Sequence, residues 1–240
     1  MHRLYVPPEQ LAGSARVKLT AAQSRHLLAV LRLSSGAEIE VFDGIGGRFQ
    51  AVLAGDELEI VAALPGEGKA VDVVLVQALA KGERMDLVMQ KATELGASRI
   101  VPLASERSVL RLDAERGASR AERWRRIARE ASRQCGRADV PRIDAPVGWD
   151  GVFSLARAEP DRRGVLLDPE AGEPRLGAAA RGVDRLFLVV GPEGGFSPEE
   201  RSRAEENGFV RASLGPLVLR TETAGLAALA VVLHVHGALG

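Results

Sequence analysis

The pattern of apolar and polar positions changes character near residue 68. Upstream, Leu4-Tyr5-Val6 precedes a Pro-Pro pair, Ile39-Glu40-Val41-Phe42 runs into Asp43-Gly44-Ile45-Gly46-Gly47, and Phe49-Gln50-Ala51-Val52-Leu53 resumes the alternation. Such short alternating runs predict β segments, with a hairpin centred on the glycines. Leu58-Glu59-Ile60-Val61 supplies a further strand, and Thr20 is placed to cap a short helix through His26 and Leu31. Residues 1–68 therefore read as a small β-barrel-like domain carrying one helix.

Turn formers over 64–70 mark the boundary, so the second domain is expected over 69–240. Residues 71–79 are almost continuously apolar and rich in Val, as in a strand covered on both faces of a parallel sheet. Met85, Val88, Met89, Ala92 and Leu95 then fall at helical spacing, with Gly96 placed to end the helix. Strands are predicted at 99–103, 164–167, 186–190 and 210–214, a long basic helix at 118–135, and a last helix from about 221. Ser197, Pro198 and Glu200 form a capping-box start for another helix, and Gly208 follows its end. Strand and helix alternate, which defines an α/β domain with a mostly parallel sheet.

Composition narrows the function classes. The 240 residues are 46% hydrophobic, and 32 Lys+Arg balance 32 Asp+Glu. No stretch approaches the roughly 20 apolar residues of a membrane span, and the first residues lack the apolar core of a secretory signal, so a cytoplasmic protein without a membrane partner is expected. Cys135 is the single cysteine, and His2, His26, His234 and His236 are scattered, which leaves neither a disulfide framework nor a zinc cluster. The zero net charge is a cancellation. Residues 81–142 carry 15 basic and 9 acidic side chains, whereas 143–240 carry 10 and 14. Arg116, Arg120, Arg123 and Arg126 share one side of the predicted basic helix. That stripe is either a solvated face partly neutralised by Glu115, Glu122 and Glu130, or a phosphate-contacting one.

Candidate chemistry gathers at two strand-to-helix junctions. Leu188-Val189-Val190-Gly191-Pro192-Glu193-Gly194-Gly195-Phe196-Ser197 places glycines directly after a strand, where a ligand approaches the backbone closely and a helix start offers free N–H groups. It lacks the Gly-Lys-Ser/Thr of a P-loop and the spaced glycines of dinucleotide folds. Leu214-Gly215-Pro216-Leu217-Val218-Leu219-Arg220-Thr221-Glu222-Thr223-Ala224 sets a turn, an Arg and a Thr-Glu-Thr cap before an apolar helix. Read locally, Thr221 is a helix cap. In this order, about twenty residues apart, the pair resembles the RsmE family of 16S ribosomal RNA uridine-N3 methyltransferases, within the SPOUT (trefoil-knot) class. The resemblance extends to 26–32 with Phe42-Asp43-Gly44, to Gln90-Lys91-Ala92-Thr93-Glu94-Leu95-Gly96, to Ser105-Glu106-Arg107-Ser108-Val109, to Arg123-Trp124 and to 130–137.

The resemblance implies an N-terminal PUA-like RNA-binding β-barrel, a SPOUT domain with a C-terminal trefoil knot, and a homodimer. It also implies methyl transfer from S-adenosylmethionine, without a metal, to N3 of a uridine in 16S rRNA, with the RNA expected within the 30S subunit. Cofactor-binding positions carried over are Leu167, Gly191, Glu193, Gly194, Leu214, Gly215, Leu219, Arg220 and Thr221. Uridine N3–H is a weak acid, so a guanidinium near O2 or O4 would favour the uridinate while a carboxylate takes the proton. Arg220 is the candidate for the first role, and Glu193 or Glu222 for the second. His26, Arg32, Arg107 and Arg137 are the candidate RNA contacts. A SPOUT ribose 2′-O-methyltransferase and a non-catalytic RNA-binding protein are the competing expectations.

Overall fold

The computed structural model describes residues 2–66, 68, 70–108 and 114–240. Glu67 and Lys69 of the inter-domain turn and Val109 of the motif beginning at Ser105 lie outside the described residues. The chain divides into two units, Met1–Gly68 with Arg129–Val140, and Lys69–Ala128 with Pro141–Gly240.

In the first unit β1 (His2–Tyr5), β2 (Arg16–Lys18), β3 (Glu38–Phe42), β4 (Arg48–Ala54) and β5 (Glu57–Leu64) form one sheet in the order β1-β3-β4-β5-β2. The β1–β3 pair is parallel and the others antiparallel. Alternate residues such as Ile39, Val41, Ala51, Leu53 and Leu58 point into one core, as the period-2 pattern requires. Asp43 makes the β3–β4 turn by accepting from the Ile45 and Gly47 amides, both at 2.8 Å. One-turn helix α1 (Pro8–Leu11) precedes β2.

Thr20 and Gln23 form a reciprocal capping box that starts α2 (Ala21–Ser24). The helix then widens into a π-helical stretch, Arg25–Val30, capped by Leu31, and Arg32 just beyond it takes φ +54°. Arg3 hydrogen-bonds Glu40 at 2.9 Å and the carbonyls of Ser132 and Arg137 at 3.1 and 3.3 Å. A guanidinium thus meets the negative end of the long helix. Burial alone would raise the Glu40 carboxyl, but hydrogen bonds from Arg48 and Arg3 outweigh it and hold its pKa below the usual value.

The second unit holds β6 (Asp72–Ala78), α3 (Arg84–Glu94), β7 (Arg99–Leu103), α4 (Ala114–Cys135), β8 (Arg142–Ile143), α5 (Trp149–Ala158), β9 (Arg163–Leu167), α6 (Leu176–Ala180), β10 (Arg185–Val190), α7 (Pro198–Glu206), β11 (Val210–Ala212) and α8 (Thr221–Val235). Helix α4 continues past Ala128 into the residues of the first unit. The six strands are all parallel, in the order β11-β9-β10-β6-β7-β8. Gly96 takes φ +90° beyond the end of α3, and Gly208 takes φ +83° beyond α7. The strand expected to reach 214 stops pairing with β9 at Ala212, and Ser213 instead forms an isolated parallel bridge with Arg175, donating its amide to the Pro174 carbonyl. Helix α5 is absent from the pattern reading. It buries Trp149, Val152 and Phe153 against Phe187, Phe196 and Phe209 of the core.

Candidate active site

Where β9, β10 and β11 end on the same edge of the parallel sheet, the following loops enclose a cavity of ≈ 340 Å³. One wall is the glycine loop over 191–195, another the segment over 214–219, and a third the turn Asp168-Pro169-Glu170. Of the sequence-predicted positions, Leu167, Gly191, Glu193, Gly194, Leu214, Gly215, Leu219 and Thr221 line it. Arg107 lines it as well. Arg220 and Glu222 stand beside the wall at the start of α8, where Arg220 is the N-cap residue and is exposed.

The glycine loop is fixed from behind by one buried carboxylate. Glu200, in the capping box that opens α7, accepts from the Ser197 amide (2.9 Å), the Glu106 amide (2.9 Å) and the Trp149 indole (2.7 Å). Gly191 packs under Phe196, and a Cβ there would lie 3.1 Å from the ring. Asp168 organises the third wall. Its Oδ1 accepts from the Glu170 amide at 2.9 Å, and its Oδ2 meets Arg211 at 2.7 Å and Arg201 at 3.4 Å. Hydrogen bonds to Glu170, chiefly, and the nearby Asp168 raise the Arg201 guanidinium further.

Thr221 corrects the local reading as a helix cap, since the N-cap position belongs to Arg220. Its hydroxyl donates to the Gly191 carbonyl and accepts from Gln77 Nε2. Gln77 was overlooked although a buried Gln inside an apolar strand is itself a signal of a specific partner. Arg84 was also overlooked. It pairs with Glu193 and lies 3.8 Å from Glu222.

The candidate RNA residues separate. Arg32 is exposed, and His26 is half-buried, its Nε2 buried with no hydrogen-bond partner among the described residues. Arg107 is exposed and donates to the Gly194 carbonyl at 3.1 Å. Arg137 instead is bound by both oxygens of Asp139, at 3.0 and 2.7 Å, with its side chain 11% exposed. Its guanidinium therefore takes part in local structure. In the basic stripe Arg123 is engaged by Asp86, which raises its pKa further.

The cavity's backbone-rich walls suit a small ligand held by main-chain groups. Residues 214–219 adopt no regular structure, and no backbone hydrogen bond is made by their amides among the described residues. Amides of that kind, glycines that admit close approach and apolar Leu side chains fit the adenine and amino-acid ends of S-adenosylmethionine.

The parallel sheet, with loops gathered around a ligand cavity at its carboxyl edge, follows a separate β domain. An RNA methyltransferase domain model matches residues 67–233, and an RNA methyltransferase PUA domain model matches 19–62. The ribosomal RNA small subunit methyltransferase E of Synechocystis is 35% identical, the match covering 96% of this chain and 77% of that protein. A crystal structure of the same enzyme from Neisseria gonorrhoeae, bound to S-adenosyl methionine, superposes with a TM-score of 0.86 at 32% identity, covering 98% and 97% of the two chains. A Legionella pneumophila protein solved with bound SAM gives 0.83 at 33% identity, covering 97% and 96%. The chain belongs to the RsmE family of RNA methyltransferases.

Proposed function

We propose that the chain is a cytoplasmic, homodimeric enzyme that methylates N3 of a uridine in the 16S rRNA of the small subunit, with S-adenosylmethionine as cofactor and no metal. On this reading residues 1–68 form the PUA-like RNA-binding domain and 69–240 the methyltransferase domain, whose C-terminal third is threaded as a trefoil knot. The observation that carries it is the cavity formed jointly by the glycine loop and the 214–219 segment at the carboxyl edge of the sheet.

Leu167, Gly191, Glu193, Gly194, Leu214, Gly215, Leu219 and Thr221 hold the cofactor, mostly through backbone. Bound there, it supplies a sulfonium methyl group that is already electrophilic. The protein's task is then alignment and management of the uridine N3 proton. Arg220, exposed and making no side-chain hydrogen bond or ion pair among the described residues, offers a guanidinium to the uracil oxyanion. Glu193, in the glycine loop, or Glu222, in the first turn of α8, is the carboxylate that accepts the proton. His26, Arg32 and Arg107 contact RNA, whose target base is unstacked to expose its Watson–Crick edge.

Incubation of naked 16S rRNA and of 30S particles with methyl-labelled cofactor, followed by mass-spectrometric mapping, tests the reading. Label at N3 of one uridine is the expected result. Label on a ribose 2′-oxygen, or none, overturns it.

A further inference from the structure

Arg84 begins α3, and its guanidinium reaches two segments distant in sequence. Nη1 donates to Glu193 in the glycine loop, and Nε lies 3.8 Å from Glu222 in the first turn of α8. Glu222 is 9% exposed, and its Oε2 is buried with no hydrogen-bond partner among the described residues. A carboxylate held away from water in that way depends on a neighbouring cation. Among the described residues, Arg84 is the cation within ion-pair distance of either carboxylate.

We propose that Arg84 is a positioning residue for methyl transfer. It does not itself line the cavity. By holding Glu193 and Glu222 together it ties the glycine loop to the helix turn that begins at Arg220, so the cofactor wall and the candidate oxyanion partner keep one spacing. The planar fork of an arginine addresses two carboxylates at once, whereas a lysine ammonium is a point charge. Loosening such a junction by about 1 Å is enough to cost on the order of 100-fold in rate. The inference rests on the methyltransferase reading above.

The test compares wild type with Arg84→Met, Arg84→Lys, Glu193→Gln and the double variant Arg84→Met/Glu193→Gln. It reads kcat, KM for rRNA, and S-adenosylmethionine affinity by calorimetry. For Arg84→Met the expected result is a fall in kcat of roughly 10- to 100-fold with KM for RNA changed less than about threefold. Cofactor affinity should weaken about fivefold, Arg84→Lys should recover part of both losses, and the double variant should lose less than the two singles combined. Values for Arg84→Met within about twofold of wild type overturn the proposal, and so do losses that Lys does not recover and that add fully with Glu193→Gln. A wild-type protein that binds the cofactor but methylates no rRNA defeats the methyltransferase reading instead, and the calorimetric comparison then still decides for or against Arg84.

Discussion

The Thr221 hydroxyl donates to the Gly191 carbonyl oxygen at 2.5 Å, joining the first residue of α8 to the first residue of the glycine loop. Gln77 Nε2 donates to the same hydroxyl at 2.8 Å from the middle of the sheet. One side chain thus connects β6, the loop after β10 and the last helix. A Thr221→Val substitution keeps the shape and removes both bonds, leaving a buried amide donor and a carbonyl unpaired. The expected cost is about 1–3 kcal/mol in urea denaturation, with weaker cofactor binding by calorimetry, while Thr221→Ser stays near wild type. Equal affinity in Val and Ser variants would show that the bond does not shape the cavity.

Glu200 satisfies three donors with one carboxylate, and two of them, the Glu106 amide and the Trp149 indole, come from segments remote in sequence. Glu200→Gln retains the size but replaces an acceptor oxygen by an NH2 group that faces N–H donors. Destabilisation of about 3 kcal/mol is expected, together with altered Trp149 fluorescence in the folded state. A Glu200→Gln protein with wild-type denaturation midpoint and spectrum would show that the capping box alone suffices.

Much of this is legible in the amino-acid sequence. The Ser197-Pro198-Glu200 signature gave the start of α7 because capping is local chemistry, and the apolar run before Leu79 gave a buried parallel strand because both of its faces are covered. The two glycine-bearing loops were legible as a pair, and the structure brings them to one cavity. What stayed hidden depends on long-range contacts. Arg84 looks like any exposed helix cation until Glu193 and Glu222 are folded against it. Helix α5 escaped because its apolar positions, Trp149, Val152 and Phe153, sit among Gly, Asp and Ser that weaken the helical pattern.

In the first unit Glu40 receives Arg3 and Arg48, both at 2.9 Å, and its folded-state pKa lies below the ordinary value near 4.5. A lowered carboxylate pKa contributes stability above the unfolded-state value, and that contribution is lost as pH falls through the folded-state value. Glu40→Gln should therefore be less stable than wild type at about pH 7, and the gap should narrow on acidification through and below about pH 4.5. Denaturant titrations at several pH values check this. A gap independent of pH would remove the charge of Glu40 as its cause.

Arg107 and Arg137 were expected to act alike on RNA, and their surroundings now separate them. Arg107 is exposed, donates to the Gly194 carbonyl, and borders the cavity where a target base would arrive. Arg137 is held by Asp139, and its carbonyl receives Arg3 at the end of α4. Each phosphate neutralised by a protein cation contributes a fixed increment to the dependence of binding on salt, a slope of roughly 0.7 for single-stranded nucleic acid. Arg107→Ala should lower rRNA affinity about 3- to 10-fold at low salt and flatten the logarithmic salt slope by nearly that one increment. Arg137→Ala should leave the slope unchanged and instead lower the stability of the first unit by about 1–3 kcal/mol, because it leaves Asp139 without the fork that holds it. Affinity measured across a salt series, with denaturation run beside it, distinguishes the two. A flattened slope for Arg137→Ala at unchanged stability would return that residue to the RNA-contacting surface.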